Sequence, residues 1–243
     1  MAAAQNQSYW VSIEADVETY LKKAIPIRSP ESVFEPMHHL TFAAPRTTAP
    51  ALCVAACELV GGDRSRAMAA ASAVHLMHAA AYIHEHLPLT DRPRPKPTVH
   101  HKYNPNIELL TGDGIIPFGL ELLARSMDLA QNNQDKILRV IIEITRATGS
   151  QGVQEKEGEL HACGAACGAI LGGGDEEEIE KLRNFGLYAG MLRGLLGKNN
   201  SGIMEDKIEK LKALALKELE SFQGKRTELI ASLVEPSLRA AQK

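Results

Sequence analysis

The sequence predicts an all-α protein. Three observations carry this: apolar residues recur at three- and four-residue steps along most of the chain, no alternating run lasts more than a few residues, and glycine and proline cluster at the breaks. Aromatic residues make up only 5 %, so the core must be built from Leu, Ala and Ile, which pack well between helices. At 243 residues the chain is long enough for a large single core, and one helical domain over 1–243 is expected.

The elements follow in order. Residues 12–24 place Ile13, Val17 and Leu21 at four-residue steps, and Ile25-Pro26 ends that helix. A second helix is expected at 49–60, stopped by Gly61-Gly62. Asp63 then reads as the N-cap of a long alanine-rich helix running to about residue 86. Residues 87–105 hold Pro88, Pro93, Pro95, Pro97 and Pro105, which forbid a regular element. Further helices are expected at 106–130, 134–149, 153–171, 175–196, 203–222 and 225–241. Between two of them, Gly172-Gly173-Gly174-Asp175 is a stop followed by a cap, and the acids after it favour a helix start.

Composition excludes several classes of function. The net charge of −3 gives no basic field for nucleic acid or an anionic membrane. No stretch of 18 or more apolar residues is present, so a transmembrane span is excluded. Residues 1–9 are too polar for a secretory signal and too short for a transit peptide. Four cysteines in so long a chain do not make a disulfide scaffold, and a reducing compartment is expected.

Motifs then narrow the reading. The segments ALCVAACELVGGD (51–63), IHEHLP (83–88), KPTVHHKY (96–103), ELLTGDGII (108–116) and GAILGGGDEEEIEKLRNFG (168–186) occur in this order. Taken together they resemble the trans-prenyltransferase family, in particular plant plastidial geranylgeranyl diphosphate synthases, over about residues 30–225. The resemblance implies an isoprenoid-synthase helical bundle. It also implies an enzyme that ionises an allylic diphosphate with Mg²⁺ held by two aspartate-rich motifs.

Carried over residue by residue, the family's machinery is mostly lost. The first aspartate-rich motif falls on Glu85, His86 and Asp91, and imidazole is a poor ligand for a hard cation. The second falls on Gly197, Lys198 and Ser201, with no carboxylate and with a cation where the metal would bind. The basic segment that grips isopentenyl diphosphate has become Pro45-Arg46-Thr47-Thr48-Ala49-Pro50, leaving Arg46 alone. His78 keeps a family position near that diphosphate, although a histidine on an Ala-rich helix also reads as a satisfied core residue. The Lys-Thr pair that contacts the allylic diphosphate appears as Lys156-Glu157, with an acid beside the cation. No catalytic or metal-binding residue is therefore expected in this chain.

What the chain has gained is a pair of CxxxC motifs, Cys53/Cys57 and Cys163/Cys167. Residues four apart share a helix face, so each motif sets two thiols side by side among small residues that let another helix approach. This pairing resembles the small subunits of heteromeric geranyl diphosphate synthases, in which such motifs support association with a catalytic large subunit. Packing, an intramotif disulfide and a zinc site built from all four thiols are the competing readings. Disulfide geometry disfavours the second and ligand spacing the third.

The resemblance implies a non-catalytic subunit in a plastid, bound to a large subunit as a heterodimer or higher heteromer. The partner would supply the Mg²⁺, and this chain would bias the product toward geranyl diphosphate for monoterpene synthesis. Partner contacts are expected at the four cysteines and at Ile137 and Ile141, on the helices between about 106 and 149. An autonomous weak prenyltransferase using Glu85 and Asp91, and a prenyl diphosphate carrier resting on Arg46, His78 and Lys156, are the alternatives.

Overall fold

The computed structural model describes residues 2–88, 101–149, 158–196, 203–222, 224 and 226–235. Among them lie ten α-helices: α1 (Ala2–Ala24), α2 (Glu31–Ala43), α3 (Ala49–Leu59), α4 (Arg64–His86), α5 (Pro105–Arg125), α6 (Gln134–Thr148), α7 (Glu159–Gly172), α8 (Glu176–Leu196), α9 (Ile203–Leu219) and α10 (Thr227–Ala231). A single 3-10 turn, Ser232–Val234, follows α10, and no strand occurs among the described residues. The all-α expectation holds.

Two helices that are apolar on every side form the centre, as continuous hydrophobicity requires. In α3 every residue but Glu58 is buried, and in α7 the run Ala162–Leu171 is buried throughout. These two pack on each other, with α4 across both. Around them, α1 lies on α3 and α4, α5 on α4 and α2, α6 and α8 on α7, and α9 on α8. Phe185, Leu52, Leu76, Leu123 and Ile144 are among the largest side chains removed almost wholly from water. Truncating Phe185 to Ala would cost about 3–5 kcal/mol through lost transfer energy and the void left behind.

Capping follows the sequence closely. The Asp63 carboxylate accepts from the Ser65 amide at 2.8 Å, starting α4. Gly173 adopts φ +91 and its amide reaches back to Ala169 and Ile170, ending α7. Asp175 and Glu178 then exchange side-chain to backbone hydrogen bonds of 2.8 and 3.1 Å, a reciprocal cap on α8.

Several boundaries differ from expectation. Helix α1 begins at Ala2 because Trp10 is buried with its indole N–H on Ser232 Oγ, so tertiary contact carries a polar segment into the helix. Helix α2 has no strong apolar period and holds Pro36 inside it. It is held by its neighbours: His38 Nδ1 donates to the Ile25 carbonyl, and Glu35 accepts from Lys102 and Tyr103. Helix α5 ends at Arg125, since Asn133 bonds both the Ser126 carbonyl and the Asp128 amide to form a tight connection. The expected last helix is short, giving way to the 3-10 turn, and residues 236–243 lie outside the described ones.

Candidate functional site

Glu85 and His86 close α4 at its C-terminal end. Glu85 is exposed, whereas the His86 ring turns back over Tyr82, with ring centroids 4.1 Å apart and Nδ1 on the Tyr82 carbonyl. His84 is directed at Asp113 of α5, 3.2 Å away. His84 and His86 therefore point to separate neighbours. Among the described residues no group of three or more His, Cys, Asp or Glu side chains could hold a metal ion. Asp91, Lys156, Gly197, Lys198 and Ser201 lie outside the described residues.

The remaining candidate cations are already engaged. Arg46, between α2 and α3, is paired with Glu14 at 3.3 Å and Glu18 at 3.8 Å, both from α1. His78 sends Nε2 to the Pro45 carbonyl at 2.8 Å, and burial holds its pKa below the ordinary imidazole value. Beside them opens a cleft of about 270 Å³ lined by Glu14, Glu18, Lys22, Arg46, His75 and an apolar floor that includes Phe42. Two carboxylates oppose two cations there, and burial keeps His75 neutral near pH 7, so the cleft has no surplus positive charge for a diphosphate.

The cysteines come together. Cys53 and Cys57 of α3 meet the face of α7 that carries Gly164, Gly168 and Gly172, and all four thiols are free and buried. A β-carbon on Gly164 would stand 2.6 Å from the Ala49 carbonyl oxygen, and one on Gly172 2.6 Å from that of Cys57. Glycine is required at this crossing because the backbones themselves are in contact. Cys163 and Cys167 lie with their sulfurs 3.9 Å apart, well beyond a disulfide bond. Burial raises the thiol pKa of Cys53 well above its usual value and that of Cys57 to about 11. Cys167 is raised too, first by its contact with Cys163 and then by burial. Raised in this way, the thiols of Cys53, Cys57 and Cys167 are poor nucleophiles near neutral pH.

The residues expected to contact a partner fall into different settings. With side chains directed into the chain's own core, the cysteines present no surface to a second protein. Ile137 is likewise core, at 2 % exposure, and Ile141 is half-buried. The outer side of α6 is carried by Leu138 and Ile142, 54 % and 55 % exposed. Their four-residue spacing was the available signal: α6 has two apolar stripes, and only the one with Ile137, Val140 and Ile144 is used inside.

Comparison with known proteins completes the site. No protein-family model matches the chain. It is 65 % identical to the geranyl diphosphate synthase small subunit of Antirrhinum majus, whose crystal structure superposes with a TM-score of 0.89 over 94 % of this chain and 98 % of that one. A curated relative, the heterodimeric geranylgeranyl pyrophosphate synthase small subunit 2 of Cannabis sativa, is 49 % identical over 94 % of this chain and 91 % of its own length. The chain belongs to the small subunits of heteromeric geranyl and geranylgeranyl diphosphate synthases. A chain of the mint heterotetrameric geranyl pyrophosphate synthase is similar as well, with 58 % identity and a TM-score of 0.85 over 94 % of this chain and all of that one. Membership in this small-subunit family accounts for the isoprenoid-synthase fold of the chain.

Proposed function

We propose that this chain is a non-catalytic subunit that binds a catalytic large subunit and shifts its product toward geranyl diphosphate. The observation that carries this is the contrast between its two faces. His84 and His86 at the end of α4 turn to separate neighbours, while α5, α6 and their connection carry six of the nine large apolar residues exposed among the described ones. That is more apolar surface than an unpartnered helix pair should offer to water. The large subunit supplies both aspartate-rich motifs and the Mg²⁺, and condenses isopentenyl with dimethylallyl diphosphate. This chain acts across the interface, as differential contacts with two states of a partner allow. The small subunit of Cannabis sativa named above, a second one of that plant and one of Arabidopsis thaliana are called chloroplastic, and we assign this chain to the same compartment, in the service of monoterpene synthesis. No helix of the described residues is long and apolar enough to cross a membrane.

The test is to mix the chain with a geranylgeranyl diphosphate synthase large subunit and follow complex mass by light scattering and product length by chromatography. A stable heteromer with an increased share of ten-carbon product is expected. Two separate species making an unchanged product would refute the reading.

A further inference from the structure

Within the apolar surface of α5 and α6, one end is built differently from the rest. The connection between the helices carries Met127, 39 % exposed, and Leu129, 88 % exposed and more open than any other large apolar side chain among the described residues. Leu138 and Ile142 lie in the first turns of α6, immediately beyond it. A leucine so exposed at a loop tip would ordinarily sit on a pliable segment, but this one is held rigidly. The Asn133 side chain accepts from the Asp128 amide at 2.8 Å and donates to the Ser126 carbonyl at 3.1 Å. Asp128 in turn accepts from the Ala130 amide at 2.8 Å, while the backbone closes Gln131 onto Asp128 and Asn132 onto Leu129. Asn132 takes φ 48, a left-handed conformation that asparagine tolerates better than most residues.

Chemistry around the tip also differs from that of a solvated turn. From Leu129 the chain reads Leu-Ala-Gln-Asn-Asn-Gln to residue 134, an apolar knob beside four uncharged amides with no Lys, Arg, Asp or Glu among them. Charged residues stand on either side of this run, Asp128 before it and Asp135 and Lys136 after it, so the knob has an amide surround inside a charged margin, as an apolar contact with a polar rim requires. A pre-ordered knob also loses little conformational entropy on docking. The tip is stiffened from behind as well: Arg139 forks onto Glu176, and Glu143 receives both arms of Arg183, fixing α6 against α8.

We infer that Leu129 is the anchor by which this chain engages the large subunit, seated in an apolar pocket of that partner, with Leu138 and Ile142 extending the contact along α6. The inference rests on the subunit reading given above and commits to the large subunit as the occupant, because the knob continues the face that reading assigns to it.

The experiment titrates the full-length chain against the large subunit by calorimetry, comparing wild type with L129E, L129M, I142E and, as a control at an exposed apolar residue on α2, V33E. Thermal unfolding checks that each variant is folded. L129E should weaken affinity by at least about tenfold, L129M should bind nearly as wild type, and V33E should be unchanged. If I142E weakens binding while L129E does not, the anchor is wrong and the subunit reading stands. If the wild-type chain itself forms no complex, the subunit reading fails and the anchor falls with it. Should L129E instead abolish self-association in sedimentation and leave the heteromer intact, the occupant is a second copy of the chain and the inference is overturned.

Discussion

The carbonyl oxygen of Cys53 lies against the α-carbon of Gly168 so closely that a β-carbon there would overlap it. This contact joins the two most buried helices, and the rest of the bundle is assembled on them. Gly168→Ala would therefore push backbone from backbone, with no flexible side chain to yield. We expect a loss of about 3 kcal/mol or more in chemical denaturation, or a chain that fails to fold. Gly61→Ala makes the comparison: φ is +99 there but nothing lies within 4 Å of an added β-carbon, so only the conformational cost of roughly 1 kcal/mol applies. Equal effects of the two would contradict this account of the crossing.

The same crossing sets what the thiols do. Replacing Cys53 or Cys167 with Phe overfills a closed contact and should cost about 1–3 kcal/mol or more of fold stability, whereas Ala should be milder. Any loss of partner affinity should track the loss of stability, since neither side chain reaches the surface. Chelators and reductants should leave affinity unchanged. Dissociation by a chelator would point to metal, and dissociation by a reductant to a covalent link.

Much of this architecture is legible in the sequence, and the reason is local. Asp63, Gly173 and Asp175 act on their own neighbouring amides, so cap chemistry alone places the helix ends. The CxxxC spacing likewise predicts paired thiols on one face among residues small enough for close helix approach. What it lacks is the identity of the approaching helix, which is the other motif's own helix in the same chain. For Ile137 the failure is one of direction: period alone does not say which of two apolar stripes on α6 faces inward. Helix α2 escapes because its stability comes from Glu35 and His38 contacting distant residues. Leu129 escapes for a related reason, as its exposure is set by a turn rather than by a period.

Acid should destabilise the fold through His161. Its half-buried ring lies beside Thr48, 3.0 Å from Nε2, and desolvation, with Arg193 and His78 nearby, pushes its pKa from 6.5 down to about 3. Between those two values the unfolded chain binds a proton that the folded chain refuses. Stability is therefore full above about pH 6.5 and falls as the pH drops toward 3, by up to ~1.4 kcal/mol per pH unit from this group. His78, also lowered by burial, adds in the same direction. Urea unfolding at pH 7.5 and 5.5 should show a smaller pH difference for His161→Gln than for wild type; an identical difference would remove His161 from the account.

The most direct test of the central claim is turnover by the chain alone. Highly purified protein would be given isopentenyl and dimethylallyl diphosphates with Mg²⁺, before and after addition of a large subunit. The account predicts no condensation product without the partner and geranyl diphosphate with it. Steady product formation by the isolated chain, in proportion to its concentration and abolished by removing Mg²⁺, would contradict it.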